Sequence, residues 1–160
     1  MDIVRFKGGL GNQMFQYALL KALSLRGRLV EGSLGFYSKH PNLAPFCLTD
    51  VFTNISFTIV DEDIFEEKDT QWREIKQNTK ELEKFLYDYN HRFFWVEEPE
   101  GTYDKNIFET SNCVFVGYWQ TEKYFRQIRE ELLLDFQFPK GERQLKRLKR
   151  KFCLGNNYVS

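Results

Sequence analysis

Three glycines and two carboxamides near the start of the chain have the types and spacing of a ligand-binding turn. The segment Gly8-Gly9-Leu10-Gly11-Asn12-Gln13 follows a short apolar run over residues 3–6 and opens a helical pattern. Glycines let the backbone turn sharply and approach a ligand closely, and the free N–H groups at a helix start attract anions. Strand, glycine turn and helix in this order form the phosphate-binding element of nucleotide-binding α/β folds.

Two alternatives accompany this interpretation. Met14 stands where a dinucleotide fingerprint has its third glycine, which points away from dehydrogenases and toward a sugar-nucleotide enzyme. Glu31 nevertheless lies 22 residues after Gly9, close to the position of a ribose-binding carboxylate at about 20 residues. A Rossmann-type dinucleotide site therefore remains an alternative, and so does a structural turn that binds nothing.

A second candidate segment, Gly117-Tyr118-Trp119-Gln120, lies at the end of an apolar run over residues 114–118. Ligands of open α/β sheets bind at the carboxyl ends of the strands. Tyr118 and Trp119 are candidates for stacking on a sugar face, and Gln120 for hydrogen bonds to hydroxyls. The alternative is that both rings pack on the next helix. Because successive strand residues face opposite sides, we expect the two rings to differ in burial, with Trp119 facing the cleft.

The elements that would position these segments alternate between strand and helix. Strands are predicted over residues 3–6, 29–31 and 114–118, and a fourth begins at 158–160. The first helix follows Gly11 and ends at Gly27, and its inward stripe is Met14, Ala18, Ala22 and Leu25. Residues 32–45 resemble a loop, and further helices are predicted over 70–90, from 121 onward and over 142–152. The alternation predicts an α/β fold with a Rossmann-like parallel sheet in one domain.

Composition restricts the class of protein. The chain of 160 residues carries 23 Lys plus Arg and 23 Asp plus Glu, so a basic nucleic-acid binder is not indicated. Two scattered histidines give no metal site, and three distant cysteines suit reduced thiols. With no signal peptide or membrane-spanning run, we expect a cytoplasmic protein. The basic run over 143–151 favours a solvated helix face, and peripheral contact with anionic lipid of the inner membrane is its alternative.

The two candidate segments together resemble the bacterial alpha-1,2-fucosyltransferases. Residues 7–18, KGGLGNQMFQYA, are similar to the start of that family, and residues 117–125, GYWQTEKYF, to its second recurrent segment. The stretch 45–52, PFCLTDVF, is weakly similar to a segment between them. Residues 55–98 match poorly, which suggests an insertion within the N-terminal domain.

The resemblance implies transfer of L-fucose from GDP-fucose to the 2-hydroxyl of a terminal β-galactoside, with inversion and without a metal or other cofactor. It implies the N-terminal, acceptor-side domain of a two-domain GT-B arrangement. The catalytic residue carried over is Asn12, and no general base is assigned. The implied donor-binding residues are Gly9, Leu10, Gly11, Asn12 and Gln13, and the implied acceptor-binding residues are Tyr118, Trp119 and Gln120.

The family's later motif, His-x-Arg-x-Gly-Asp-Tyr, is absent from these 160 residues. We therefore expect the chain to represent the N-terminal half of such an enzyme and to be inactive by itself. The alternative from a different class is a non-catalytic glycan- or partner-binding module of the same fold.

Overall fold

The fold is α/β, with a four-stranded sheet whose strands are all parallel and whose order is β2-β1-β4-β3. The computed structural model describes residues 1–60, 94–99 and 102–138. The strands are β1 (Asp2–Arg5), β2 (Val30–Ser33), β3 (Phe94–Glu97) and β4 (Cys113–Val116). The helices are α1 (Leu10–Ser24), α2 (Gly35–Lys39), α3 (Leu48–Val51) and α4 (Arg129–Asp135). The predicted Rossmann-like parallel sheet is confirmed.

The two central strands are buried because apolar residues occupy both of their faces. Ile3 and Val4 of β1 and Val114 and Phe115 of β4 are fully buried, and Ile3 pairs with Val114. Parallel strands covered on both faces show such continuous apolar runs. Beyond β2, the segment after Phe57 adds a further parallel bridge between Gly32 and Ile59.

Helix α1 connects β1 to β2 and packs on the sheet. Its buried residues are Gln13, Gln16, Tyr17, Ala18, Leu19, Leu20, Ala22 and Leu23. The predicted stripe is partly wrong, because Leu25 is 53% exposed and two glutamines share the inward face. The helix ends at Ser24, and Gly27, with φ of +79°, closes the following turn by donating its N–H to the Ser24 carbonyl.

Two other sequence predictions differ from the structure. The stretch 32–45 is not all loop, since β2 continues to Ser33 and α2 follows at once. The single helix expected from residue 121 is instead two 3₁₀ turns, Glu122–Tyr124 and Arg126–Ile128, followed by α4. Another 3₁₀ turn, Lys105–Phe108, precedes β4.

The chain divides into two compact units. The first comprises residues 1–46 and 57–127 and contains the sheet. The second comprises 47–56 and 128–160, and its described part contains α3 and α4. Within this second unit Phe52 is buried and packs edge-on against Phe136, and the Asn54 amide donates to the Leu134 carbonyl.

Several predicted elements lie outside the described residues. These are the helix over 70–90, the basic helix over 142–152 and the strand at 158–160. Of the range 55–98, interpreted above as an insertion, residues 94–97 form β3 and so belong to the sheet. Within the described ranges no helix is long and apolar enough to cross a membrane.

Candidate functional site

The two segments singled out from the sequence meet at one edge of the sheet. The side-chain amide of Gln120 donates a hydrogen bond of 2.7 Å to the Asn12 Oδ1, across 108 residues of chain. Asn12 follows β1 and Gln120 follows β4, and these strands are neighbours in the sheet. The chain runs from β1 to β2 on one side and then returns to β3 and β4 on the other. The hydrogen bond therefore lies at a topological switch point, where open α/β sheets bind ligands.

The conformation of the glycine turn is set by Gly8. Its φ of +78° is in the left-handed region, which favours glycine. A Cβ at this position would lie 2.5 Å from the Asn12 Nδ2, so the close approach of the Asn12 amide also requires glycine. The Tyr37 hydroxyl donates to the Gly8 carbonyl at 2.9 Å and holds the turn from the other side.

Gly9 and Gly11 are different, because a Cβ at either position would meet no atom within 4 Å. Gly9 is the N-cap of α1, and within this fully described helix no acidic side chain occupies the first turn. An α-helix leaves the N–H groups of its first turn without intrahelical acceptors. No other part of the described chain therefore packs over these two glycines, and the helix that begins here has first-turn N–H groups, which favour anions.

Gln13 contacts the glycine turn through its side chain. It is fully buried, and its Nε2 donates to the Gly8 and Pro45 carbonyls, both at 3.0 Å. Its own backbone N–H donates to the Gly9 carbonyl. The Gln13 side chain thus stabilises the turn itself, and donor binding by Gln13 stays a prediction.

Gln16 is a positioning residue that the sequence analysis did not single out. It is fully buried; its Oε1 accepts from the Lys7 N–H at 3.0 Å, and its Nε2 donates to the Gly117 carbonyl at 2.9 Å. It thereby joins the segment after β1 to the segment after β4. A glutamine on the inward face of an apolar helix was the available signal, since buried carboxamides need hydrogen-bond partners.

Tyr118 and Trp119 differ in burial, as predicted, but in the opposite sense. Trp119 is fully buried, and its ring packs edge-on against Phe115 at 5.8 Å and Tyr124 at 5.4 Å. Tyr118 is 40% exposed, with the Lys7 ammonium 4.7 Å from its ring centre. The prediction that Trp119 faces the cleft is therefore wrong. Trp119 has φ of +59°, so the strand has already ended and two-fold alternation does not apply.

Glu98, just after β3, holds this turn and was also missed from the sequence. Its Oε2 accepts from the Tyr118 N–H at 2.7 Å and its Oε1 from the Gln120 N–H at 3.0 Å. Gly117 permits this arrangement, because a Cβ there would collide with the Glu98 side chain. The carboxylate fixes the backbone from which Gln120 reaches Asn12.

The dinucleotide alternative gains no support from Glu31. It lies within β2, paired with Ile3, and precedes the carboxyl end of the strand, where ribose-binding carboxylates are found. Among residues 1–60, 94–99 and 102–138, no cluster of three His, Cys, Asp or Glu side chains could hold a metal ion.

Comparison with known proteins identifies no relative: no family model, no curated protein and no solved structure matches the chain. The fold class and the geometry of the sheet edge are therefore the basis for a functional proposal.

Proposed function

We propose that this chain is the acceptor-side, Rossmann-like domain of a GT-B glycosyltransferase that moves L-fucose from GDP-fucose to the 2-hydroxyl of a terminal galactose. The observation that carries the proposal is the 2.7 Å hydrogen bond between Gln120 and Asn12. It brings the two family-like segments together where parallel sheets bind ligands.

In the proposed reaction the galactose 2-hydroxyl oxygen attacks C1 of fucose on the face opposite GDP. GDP leaves with the bonding electron pair, and the hydroxyl proton passes to a base. Negative charge accumulates on the diphosphate, and the first-turn N–H groups of α1 stabilise it by about 0.3–2 kcal/mol. Because Asn12 Oδ1 is occupied by Gln120, the Asn12 Nδ2 is the donor for fucose or the bridging phosphate.

The proposal is tested by a transfer assay with GDP-fucose and lactose, in which fucosyl-lactose is detected by mass spectrometry. Because the 160 residues alone are expected to be inactive, the assay uses a two-domain enzyme in which they are joined to a fucosyltransferase donor-nucleotide domain. Asn12→Ala should lower kcat about 100-fold while the KM for lactose changes by no more than about twofold. The effect is expected on kcat and not on the KM for lactose, because Asn12 is proposed to act at the leaving group rather than at the acceptor.

A matched control is Leu29→Ala, because Leu29 is 65% exposed and belongs to the segment before β2, at the opposite end of the strands. It should leave both constants unchanged. Unchanged turnover in Asn12→Ala would contradict the proposal. Lactose binding without any transfer by the unsubstituted two-domain enzyme would favour the non-catalytic glycan-binding module.

A further inference from the structure

A pocket of about 360 Å³ opens beside Gln120, near the carboxyl ends of β3 and β4. The residues that line it are Glu98, Pro99, Thr102, Tyr103, Gln120, Thr121 and Lys123. Ligand pockets commonly measure about 300–1,000 Å³. This pocket is at the small end of that range, which suits one or two sugar rings better than a whole nucleotide sugar.

The chemistry of the lining selects a neutral, hydroxylated ligand. Hydroxyl, carboxamide, carboxylate and ammonium groups dominate it, so an apolar ligand would leave them desolvated without partners. One carboxylate, Glu98, and one ammonium, Lys123, cancel in formal charge. A diphosphate would face a single cation and a carboxylate, which disfavours it. The remaining class is a polyhydroxylated ring that both donates and accepts hydrogen bonds.

Tyr103 supplies the flat apolar surface that sugar rings require. It is 37% exposed, and its ring lies 4.9 Å from that of Tyr124, which is buried. The Tyr124 hydroxyl also accepts from the Asp104 N–H at 3.1 Å and so fixes the segment that carries Tyr103. Because Tyr124 in turn packs against the buried Trp119, the Tyr103 ring is supported from the core by a ring tilted at 55°. The Tyr103 ring stays partly accessible, with the Lys123 ammonium over it at 6.0 Å from its centre.

The polar groups on the other side of the pocket are also held in place by hydrogen bonds. The Glu98 carboxylate accepts one backbone N–H on each oxygen, which holds it in place and leaves a lone pair on each for a ligand hydroxyl. Gln120 donates one amide hydrogen to Asn12 and retains its other hydrogen and its carbonyl oxygen. Gln120 therefore connects the pocket directly to the glycine turn.

We propose that this pocket binds one neutral pyranose unit of the acceptor glycan, with Tyr103 as the stacking face and Glu98, Gln120 and Thr121 as hydrogen-bond partners. That the bound sugar is the acceptor of a transfer reaction rests on the proposed function. Binding of the sugar itself can be measured without any transfer. The proposal assigns the stacking ring to Tyr103 instead of Tyr118 or Trp119, the rings that the resemblance implied, and it keeps Gln120 as an acceptor-binding residue.

The test is a titration of the ¹⁵N-labelled protein with lactose, followed by NMR of the backbone and side-chain amides. We expect the resonances of Tyr103, Thr121 and the Gln120 side chain to shift. Tyr103→Ala should raise the Kd about tenfold, and Tyr103→Phe, which keeps the ring, should change it by no more than about twofold. Galacturonate, with its added carboxylate near Glu98, should bind more weakly than galactose.

A second variant covers the case in which Tyr103→Ala does not fold: Thr121→Val preserves shape, removes one hydroxyl and should weaken lactose binding about threefold or more. The proposal is overturned if lactose shifts none of these resonances, if Tyr103→Ala and Thr121→Val both bind like the wild type, or if GDP alone shifts them equally. In the two-domain enzyme, transfer with an unchanged lactose KM in both variants would overturn the pocket assignment alone. Lactose binding that depends on Tyr103, without transfer by the two-domain enzyme described above, would overturn the fucosyltransferase proposal alone.

Discussion

The three glycines of the turn have different roles. Only at Gly8 do the backbone conformation and a neighbouring side chain of the protein itself require glycine. Gly8 combines a positive φ with a close approach to Asn12, whereas Gly9 and Gly11 face open space. A ligand that approaches the helix start would use that space. This difference allows ligand binding and folding to be tested by matched alanine substitutions.

Gly11→Ala should raise the free energy of unfolding by about 1 kcal/mol, because alanine is the better helix former at this position in α1. The same methyl group occupies the space over the helix start, so GDP-fucose binding should weaken about tenfold or more. Denaturant unfolding and a calorimetric titration measure the two effects. Unchanged affinity for GDP-fucose would show that no ligand approaches Gly11.

Gly8→Ala is the matched control, and its effect on stability should have the opposite sign. The left-handed conformation costs a non-glycine residue about 1–2 kcal/mol, and the new Cβ must displace the Asn12 amide. The hydrogen bond between Asn12 and Gln120 would then be lost or lengthened. A Gly8→Ala protein as stable as the wild type would contradict this account of the turn.

Gln16 is the residue on which the relative position of the two segments depends. Gln16→Leu keeps the volume but leaves the Lys7 N–H and the Gly117 carbonyl without their partner, so it should lower the free energy of unfolding by about 2–3 kcal/mol. Gln127→Leu is the control, because Gln127 is exposed and accepts only a 3.4 Å bond from Arg26. It should change stability by less than about 0.5 kcal/mol. Equal effects of the two substitutions would contradict the positioning role.

At the scale of elements, β2 depends on the close packing of an aromatic ring over its backbone. A Cβ at Gly32 would overlap the Phe57 ring, which is itself stacked on Phe6 with ring centres 5.0 Å apart. The segment after Phe57 hydrogen-bonds to both the N–H and the carbonyl of Gly32. Gly32 thus contacts the Phe57 ring and also forms the additional bridge to the segment after Phe57.

Gly32→Ala should therefore lower the free energy of unfolding by about 1–3 kcal/mol through overpacking. Phe57→Leu in the same protein should recover part of that loss, since the smaller side chain leaves room for the methyl group. A double-mutant cycle by denaturant unfolding measures the coupling. Additive effects of the two substitutions would contradict a direct contact as the cause.

At the scale of the whole molecule, two buried acidic groups predict a loss of stability in alkali. Burial raises the pKa of the Cys113 thiol above its ordinary value of 9.0, and burial likewise raises the pKa of the Tyr124 hydroxyl above 10.0. The unfolded chain releases these protons at a lower pH than the folded protein does. Their stabilising effect is therefore complete below about pH 9 and is lost as the pH rises through the folded-state pKa values.

Urea unfolding at a series of pH values from 8 to about 11 should show this decline. Removal of either group should flatten it, so Cys113→Val and Tyr124→Phe should each have a shallower dependence than the wild type. The slopes of unfolding free energy against pH are compared, because both substitutions also change the stability at neutral pH. Identical slopes in all three proteins would refute the attribution of the alkaline loss of stability to Cys113 and Tyr124.

The sequence by itself determined the features that depend on local pattern. Continuous apolar runs predicted β1 and β4, the glycine turn predicted the start of α1, and the alternation of elements predicted a parallel sheet. It also selected Asn12 and Gln120 as polar groups at strand ends, because the topology of parallel sheets brings such ends to one edge.

Tertiary structure alone decided which of these groups face solvent. Trp119 is buried because its positive φ ends the strand alternation and because Phe115 and Tyr124 surround its ring. Glu98 acquires its role only through hydrogen bonds to a turn 20 and 22 residues away. Burial and hydrogen-bond partners are set by neighbours distant in the chain, and no local spacing in one sequence specifies them.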